Sequence, residues 1–189
     1  MSPHHTLFAS RSRRRPPALL LLLGLILGLA APTAVAAPAS AGPVVLAGSF
    51  CTSSGWFEPN PANPSIGTTY TLVGARTTEG FAYRYWMVQA GSSSSQLYQY
   101  SVLAKCNGIF LVSSTELTTT TASGTIYCTR YTDISSPASL VTERYVGERG
   151  VPGSGLVLPS TIRYWHGETL PFGTAIWLYH SSYVVRCFW

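Results

Sequence analysis

Residues 96–117 read QLYQYSVLAKCNGIFLVSSTEL, and the reading of this stretch decides the fold. Asn107-Gly108 divides two runs rich in aromatic and β-branched residues, and this dipeptide can supply both positive φ values of a type I′ hairpin turn. With Asn107 and Gly108 at the tip, Cys106 faces Ile109, Val102 faces Ser113 and Tyr98 faces Leu117. Tyr98, Tyr100, Val102, Ala104 and Cys106 then share one face with Ile109, Leu111 and Leu117, while Gln99, Ser101 and Lys105 take the other. Such alternation predicts a sheet packed on one side and wet on the other, with Cys106 on the packed side.

Outward from this hairpin, the chain continues as short apolar or alternating runs divided by turn residues. The runs at 44–50, 68–75, 81–89, 125–133, 140–146, 156–158 and 162–165 read as strands, as does 174–187, which bends at His180-Ser181-Ser182 into a possible hairpin. Residues 91–95 (GSSSS) and 118–124 are connections. The segment 52–67, with Pro59, Pro61 and Pro64, is unsuited to a central strand. No sustained 3.6-residue period, no repeat of fixed period and no long linker is visible. The expectation is an all-β domain, a single antiparallel β-sandwich or barrel of roughly eight to ten short strands.

The N-terminus has a different composition. Arg11, Arg13, Arg14 and Arg15 precede an unbroken apolar stretch from Ala18 to Ala31, followed by Ala34-Val35-Ala36 and Ala39-Ser40-Ala41. A basic run, a short apolar core and small-residue sites are the three parts of a secretory signal. The apolar core is shorter than the roughly 20 residues needed to span a bilayer. Residues 1–41 are therefore read as a signal peptide, cleaved after Ala36 or Ala41, with 42–189 as one secreted, extracellular β domain. The 189-residue chain has 12 basic and 7 acidic residues, a formal charge of +5. Without those four arginines, eight basic residues face seven acidic ones, so a basic surface for nucleic acid is not indicated. No membrane attachment is expected after cleavage.

Cys51, Cys106, Cys128 and Cys187 all fall in the exported part, where an even number implies two disulfides rather than a metal site. If residues 96–133 form a three-stranded meander, Cys128 lies near Ser101 and far from Cys106, beyond the roughly 7 Å that a disulfide allows. Of the two remaining connectivities, Cys51–Cys106 with Cys128–Cys187 is favoured and Cys51–Cys128 with Cys106–Cys187 stays open. No cofactor or metal is implied.

Motifs of known chemistry are sparse. There is no Gly-x-Ser-x-Gly elbow, no His-Glu-x-x-His and no phosphate-binding glycine loop. Tyr164-Trp165-His166-Gly167-Glu168 is the one cluster that joins an imidazole, a carboxylate and aromatics. Gly167 and Pro171 favour reading it as a solvated surface turn. Nothing distinguishes a pair among the seven carboxylates, and Glu143-Arg144 and Glu148-Arg149 read as exposed, mutually screened charges.

Aromatics are the other candidate. Most should form the core, but Trp56-Phe57 lies in the proline-rich segment, either plugging the sandwich end or projecting as a binding tip. Two functions follow. One is a non-catalytic extracellular binding module for carbohydrate, cell wall or protein, acting through Trp56, Phe57 and Trp165. The other is a small secreted hydrolase using His166 and a carboxylate such as Glu168, which requires those two side chains to converge. The ligand, oligomeric state and presence of any activity are not legible.

Overall fold

The structure, a computed structural model, describes residues 49–92, 94–136, 138 and 140–189. The expected leader 1–41, both its cleavage sites and positions 44–48 of the first expected strand lie outside the described residues. Among the described residues, no helix is long and apolar enough to cross a membrane.

The fold is all-β, as expected. Element order is α1 (Ser49–Thr52), β1 (Gly55–Asn60), β2 (Asn63–Thr78), β3 (Phe81–Ser92), β4 (Ser95–Asn107), β5 (Phe110–Leu117), β6 (Thr119–Ala122), α2 (Ile126–Thr129), β7 (Ile134–Ser136), β8 (Val141–Val151), β9 (Ser160–Thr169) and β10 (Leu178–Cys187). One sheet has the order β1-β2-β3-β4-β5 and the other β6-β10-β9-β8-β7. All pairings are antiparallel except β6 with β10, which is parallel. Between the sheets lies a cluster drawn from both, with Tyr83, Tyr85, Met87 and Leu103 against Val151, Ile162, Tyr164 and Val184.

Several local expectations are corrected. The β4–β5 hairpin exists, but its tip is Gly108-Ile109. Asn107 pairs with Phe110, Cys106 with Leu111 and, after a bulge, Ser101 with Leu117. Gly108 takes φ +58° while Asn107 stays in the strand. This register brings Leu111 beside Cys106 and Phe50 in a buried cluster and leaves Ile109 and Phe110 at the exposed tip. The sheet is also not wet on one side. Cys106, Ala104 and Val102 pack under α1, and Ser101 and Leu103 on the opposite face pack against the second sheet.

Ser49 and Phe50, expected in a strand, form part of α1. The expected strand 125–133 is instead the helical turn α2 followed by a loop, so the three-stranded meander does not form. Tyr, Ile and Thr there favour a strand, but the tether through Cys128 holds the segment across the outside of the second sheet. Residues 156–158 are not a strand and make only the isolated Ser154–Val157 bridge. The last segment does not fold back. His180 bulges out of a continuous β10. The proline-rich segment holds β1, an edge strand that accommodates Pro59, but against expectation its last residues, Asn63 to Gly67, begin β2, which lies between β1 and β3.

Both disulfides pair as favoured, Cys51–Cys106 and Cys128–Cys187, and no cysteine is free. The reason differs from the one the meander supplied, because Cys106 and Cys128 belong to different halves of the chain.

Those halves are related by an internal pseudo-twofold. Each begins with a helical turn, Phe50-Cys51-Thr52 or Tyr127-Cys128-Thr129, whose cysteine reaches the end of that half's fourth strand. Each second strand carries Val-Gly-x-Arg (Val73–Arg76, Val146–Arg149), bulged at the valine. Each third strand carries Arg-Tyr-Trp (84–86, 163–165), and each fourth ends Ser-x-x-x-Lys/Arg-Cys (101–106, 182–187).

Contacts obey the same relation. Phe50 meets Trp86 edge-on at 5.6 Å and Tyr127 meets Trp165 at 5.5 Å. Arg84 donates to the Ser53 carbonyl and Arg163 to that of Arg130. The Arg76 guanidinium donates to the Tyr145 carbonyl and that of Arg149 to Leu72. Tyr85 OH meets Ser182 Oγ at 2.6 Å, and Tyr164 OH meets Ser101 Oγ at 2.9 Å. The halves differ in loop length, Gly74 to Trp86 being shorter than Gly147 to Trp165, so a fixed period does not reveal them.

Candidate functional site

The expected surface turn at Tyr164–Glu168 is the C-terminal part of β9, which runs on through Gly167 to Thr169. Strand alternation therefore puts His166 and Glu168 on one face, and both are buried. The Cβ of any residue at 167 would lie 2.6 Å from Ser181 Oγ, so glycine lets β10 lie close here. His166 Nε2 and Glu168 Oε1 are 3.5 Å apart. Thr78, at the end of β2 in the other sheet, bridges them: its hydroxyl lies 3.0 Å from His166 Nε2 and donates to Glu168 Oε1 at 2.5 Å.

On its other side the imidazole meets Tyr85 OH at 2.6 Å through Nδ1, and that hydroxyl meets Ser182 Oγ. Tyr83 and Tyr179 flank the ring at 5.0 and 5.3 Å. Glu168 Oε2 accepts from Arg144 Nε, and Arg144 also donates to Asp133 at 2.9 Å.

The proton order in this chain is set from its charged end. Glu168 accepts from Arg144 through one oxygen and from the single Thr78 proton through the other. Thr78 Oγ1 must then accept from His166 Nε2–H. Burial pulls the His166 pKa down to about 4, against an opposing pull from Glu168, so the ring is neutral near pH 7 and its Nδ1 accepts. Tyr85, whose phenol burial keeps protonated, donates to it and accepts from Ser182. Every polar atom in the relay has a partner, and His166 is a donor toward Thr78.

Above this buried relay opens a cleft of about 410 Å3 whose walls include Arg76, Thr78, Glu79, Arg144, Glu168 and Trp177. The Arg144 guanidinium lies 5.5 Å from the Trp177 ring centre. Glu79 sits in the β2–β3 turn, where its Oε1 accepts from the Tyr179 N–H at 3.0 Å and ties the two sheets together. Glu79 and Leu140 are the two non-glycine residues in the left-handed region among the described residues, with φ of 57° and 52°. Glu79 lines the cleft, and the Leu140 carbonyl accepts from Leu170 N–H just past Glu168. Backbone strain is concentrated at this end.

The pseudo-twofold supplies an internal control. The equivalents of Thr78, His166 and Glu168 at the opposite end are Val151, Met87 and Gln89. Val151 and Met87 are ordinary members of the inter-sheet apolar cluster. The same architecture therefore carries a valine, a methionine and a glutamine at one end, beside the Tyr164–Ser101 hydroxyl pair, and the Thr78–His166–Glu168 relay at the other. Burying a threonine and a histidine costs free energy that a valine and a methionine avoid, and the opposite end closes without them.

The other residues marked by the sequence lie elsewhere. Trp165 is fully buried on the outer face of the second sheet between Tyr127 and Tyr145. Trp56 stacks on Tyr70 at 4.3 Å and meets Phe50 and Trp86 edge-on, filling the space between β1 and α1. Phe57, the next residue on the strand, points outward and is exposed. Trp56, Trp165 and His166 thus occupy three separate places. Glu143-Arg144 and Glu148-Arg149 do not pair internally. Arg144 binds Glu168 and Asp133, and Glu148 binds Arg163.

Thr78 escaped the sequence reading, while Glu79 and Trp177 stood only among undifferentiated carboxylates and aromatics and Arg144 only as a screened surface charge. Thr78 is an unremarkable threonine in a Thr-Thr pair, and its partners lie 88 and 90 positions away. Aligning the two Arg-Tyr-Trp copies would have exposed the Met87/His166 difference. No known family model matches this chain, and no characterised protein or solved structure is significantly similar to it.

Proposed function

We propose that the chain is a secreted, non-catalytic binding module that takes its ligand in the cleft above the Thr78–His166–Glu168 relay. One observation carries this reading: one end of the pseudo-symmetric core holds a buried Thr78–His166–Glu168 network where the other end holds Val151, Met87 and Gln89, and that network opens into a cleft. The N-terminal leader pattern and the two disulfides support export. The cleft volume falls in the range of about 300–1,000 Å3 usual for small-ligand sites. A rigid relay holds Glu168 and Arg144 in place before a ligand arrives, which lowers the ordering cost of binding.

The alternative, a hydrolase using His166 and Glu168, has support in their convergence and in the Thr78 hydroxyl beside the imidazole. The proton order weighs against it. A base must accept the nucleophile's proton, whereas His166 donates to Thr78, and both its nitrogens are already engaged.

Retention of the purified mature protein on insoluble polysaccharides and on cell-wall preparations tests the reading. Arg144→Ala and Trp177→Ala should lose retention, while Phe57→Ala should keep it. Loss with Phe57→Ala alone would move the site to β1. A wild-type protein that is not retained but cleaves activated esters, with Thr78→Val abolishing the cleavage, would favour the hydrolase.

A further inference from the structure

The charges around the cleft cancel. Arg144 contacts Glu168 and Asp133, Arg76 lies 4.0 Å from Asp133, and Lys105 lies 4.0 Å from Glu79. Three cations face three carboxylates, so neither a polyanion nor a polycation gains net attraction here. Glu168 lies in β9, which is paired on both sides. β2 is paired with β1 only up to Thr71, so Arg76–Thr78 have β3 on one side alone. An uncharged extended peptide is therefore the competing occupant, and it is included among the probes below.

What the cleft does offer is the Arg144 guanidinium, held by Glu168 and Asp133, next to the half-buried indole of Trp177. That combination matches a ring with an apolar C–H face and adjacent hydroxyls on its edge.

Resting on the binding-module reading, we infer that the ligand is a neutral saccharide, with one sugar ring against Trp177 and adjacent hydroxyls on the Arg144 guanidinium. A neutral ligand in a charge-balanced cleft binds with an affinity that hardly changes with salt, because no counterions are displaced.

The test is calorimetric titration of the mature protein with four probes: soluble neutral glucan and xylan oligosaccharides, polygalacturonate, chitosan and an uncharged extended peptide. A neutral oligosaccharide should bind, with affinity unchanged between about 50 and about 500 mM salt. Trp177→Ala should weaken it at least about tenfold, while Trp177→Tyr, which keeps the platform, should stay within about threefold. Thermal melts of both variants verify that they fold. If Trp177→Ala fails to fold, Trp177→Tyr and Glu168→Gln carry the test, the latter weakening binding with the platform intact.

Binding only to polygalacturonate or chitosan with steep salt dependence, or only to the peptide, overturns the saccharide assignment and leaves the binding module standing. Failure of every soluble probe, while cell-wall preparations still retain the protein in an Arg144-dependent way, does the same. No binding to any probe and no retention overturns both.

Discussion

Glu168 is the residue that orders its neighbours. It accepts from Arg144 through one oxygen and from Thr78 through the other, and this arrangement propagates through Thr78 and His166 to Tyr85 and Ser182. The outcome is a histidine held neutral in the folded state. Its pKa lies near 4 in the fold against about 6.5 in an unfolded chain, so below pH 6.5 the unfolded state binds a proton that the native state refuses. The stability due to this group is fully present above about pH 6.5 and is lost as pH falls toward 4, on the order of 3 kcal/mol in all. Chemical denaturation at steps between pH 7 and pH 4 should show this decline, and His166→Met should flatten it. An unchanged slope in that variant would mean the titration belongs to another group. At this scale the sequence was half legible. Alternation along β9 relates His166 to Glu168, but Thr78 and Arg144 come from β2 and β8, and no local pattern marks residues that meet only across sheets.

Among the elements, regular strands were the legible part and the two helical turns were not. A four-residue turn has no periodicity to read, and Phe50-Cys51 and Tyr127-Cys128 have strand-like side chains. Their conformation follows from the disulfide that pins each across the outside of a sheet, burying Phe50 against Trp86 and Tyr127 against Trp165. The bulges at Val73 and Val146 are equally invisible locally, yet they bring β2 and β8 together where the halves meet. A Cβ on Gly74 would lie 2.7 Å from the Val146 carbonyl oxygen, whereas one on Gly147 would lie 3.1 Å from that of Val73. Gly74→Ala should therefore destabilise by roughly 1–3 kcal/mol, seen as a lowered denaturation midpoint. Wild-type stability in this variant would show that the halves separate easily at the bulges.

For the molecule as a whole, the pseudo-twofold converts differences between halves into information. Replacing Thr78, His166 and Glu168 by their counterparts (Thr78→Val, His166→Met, Glu168→Gln) should give a folded protein, since the opposite end packs with this set and volume-matched apolar replacements of Thr78 and His166 remove a buried polar cost. Arg144 retains Asp133. The same variant should lose retention on polysaccharide or cell wall. Failure to fold would make the relay a structural element. The amino-acid order alone determined the all-β class, through alternation and turn residues, and the even set of four cysteines. It also determined the near-balance of charge in the part after the arginine run. Which cysteine meets which, which face of each strand is covered, and that a threonine, a histidine and a glutamate share one chain of protons were decided by the packing of two sheets. Those facts depend on residues distant in the chain arriving at one point, and a pattern of period two carries no record of which strand lies opposite.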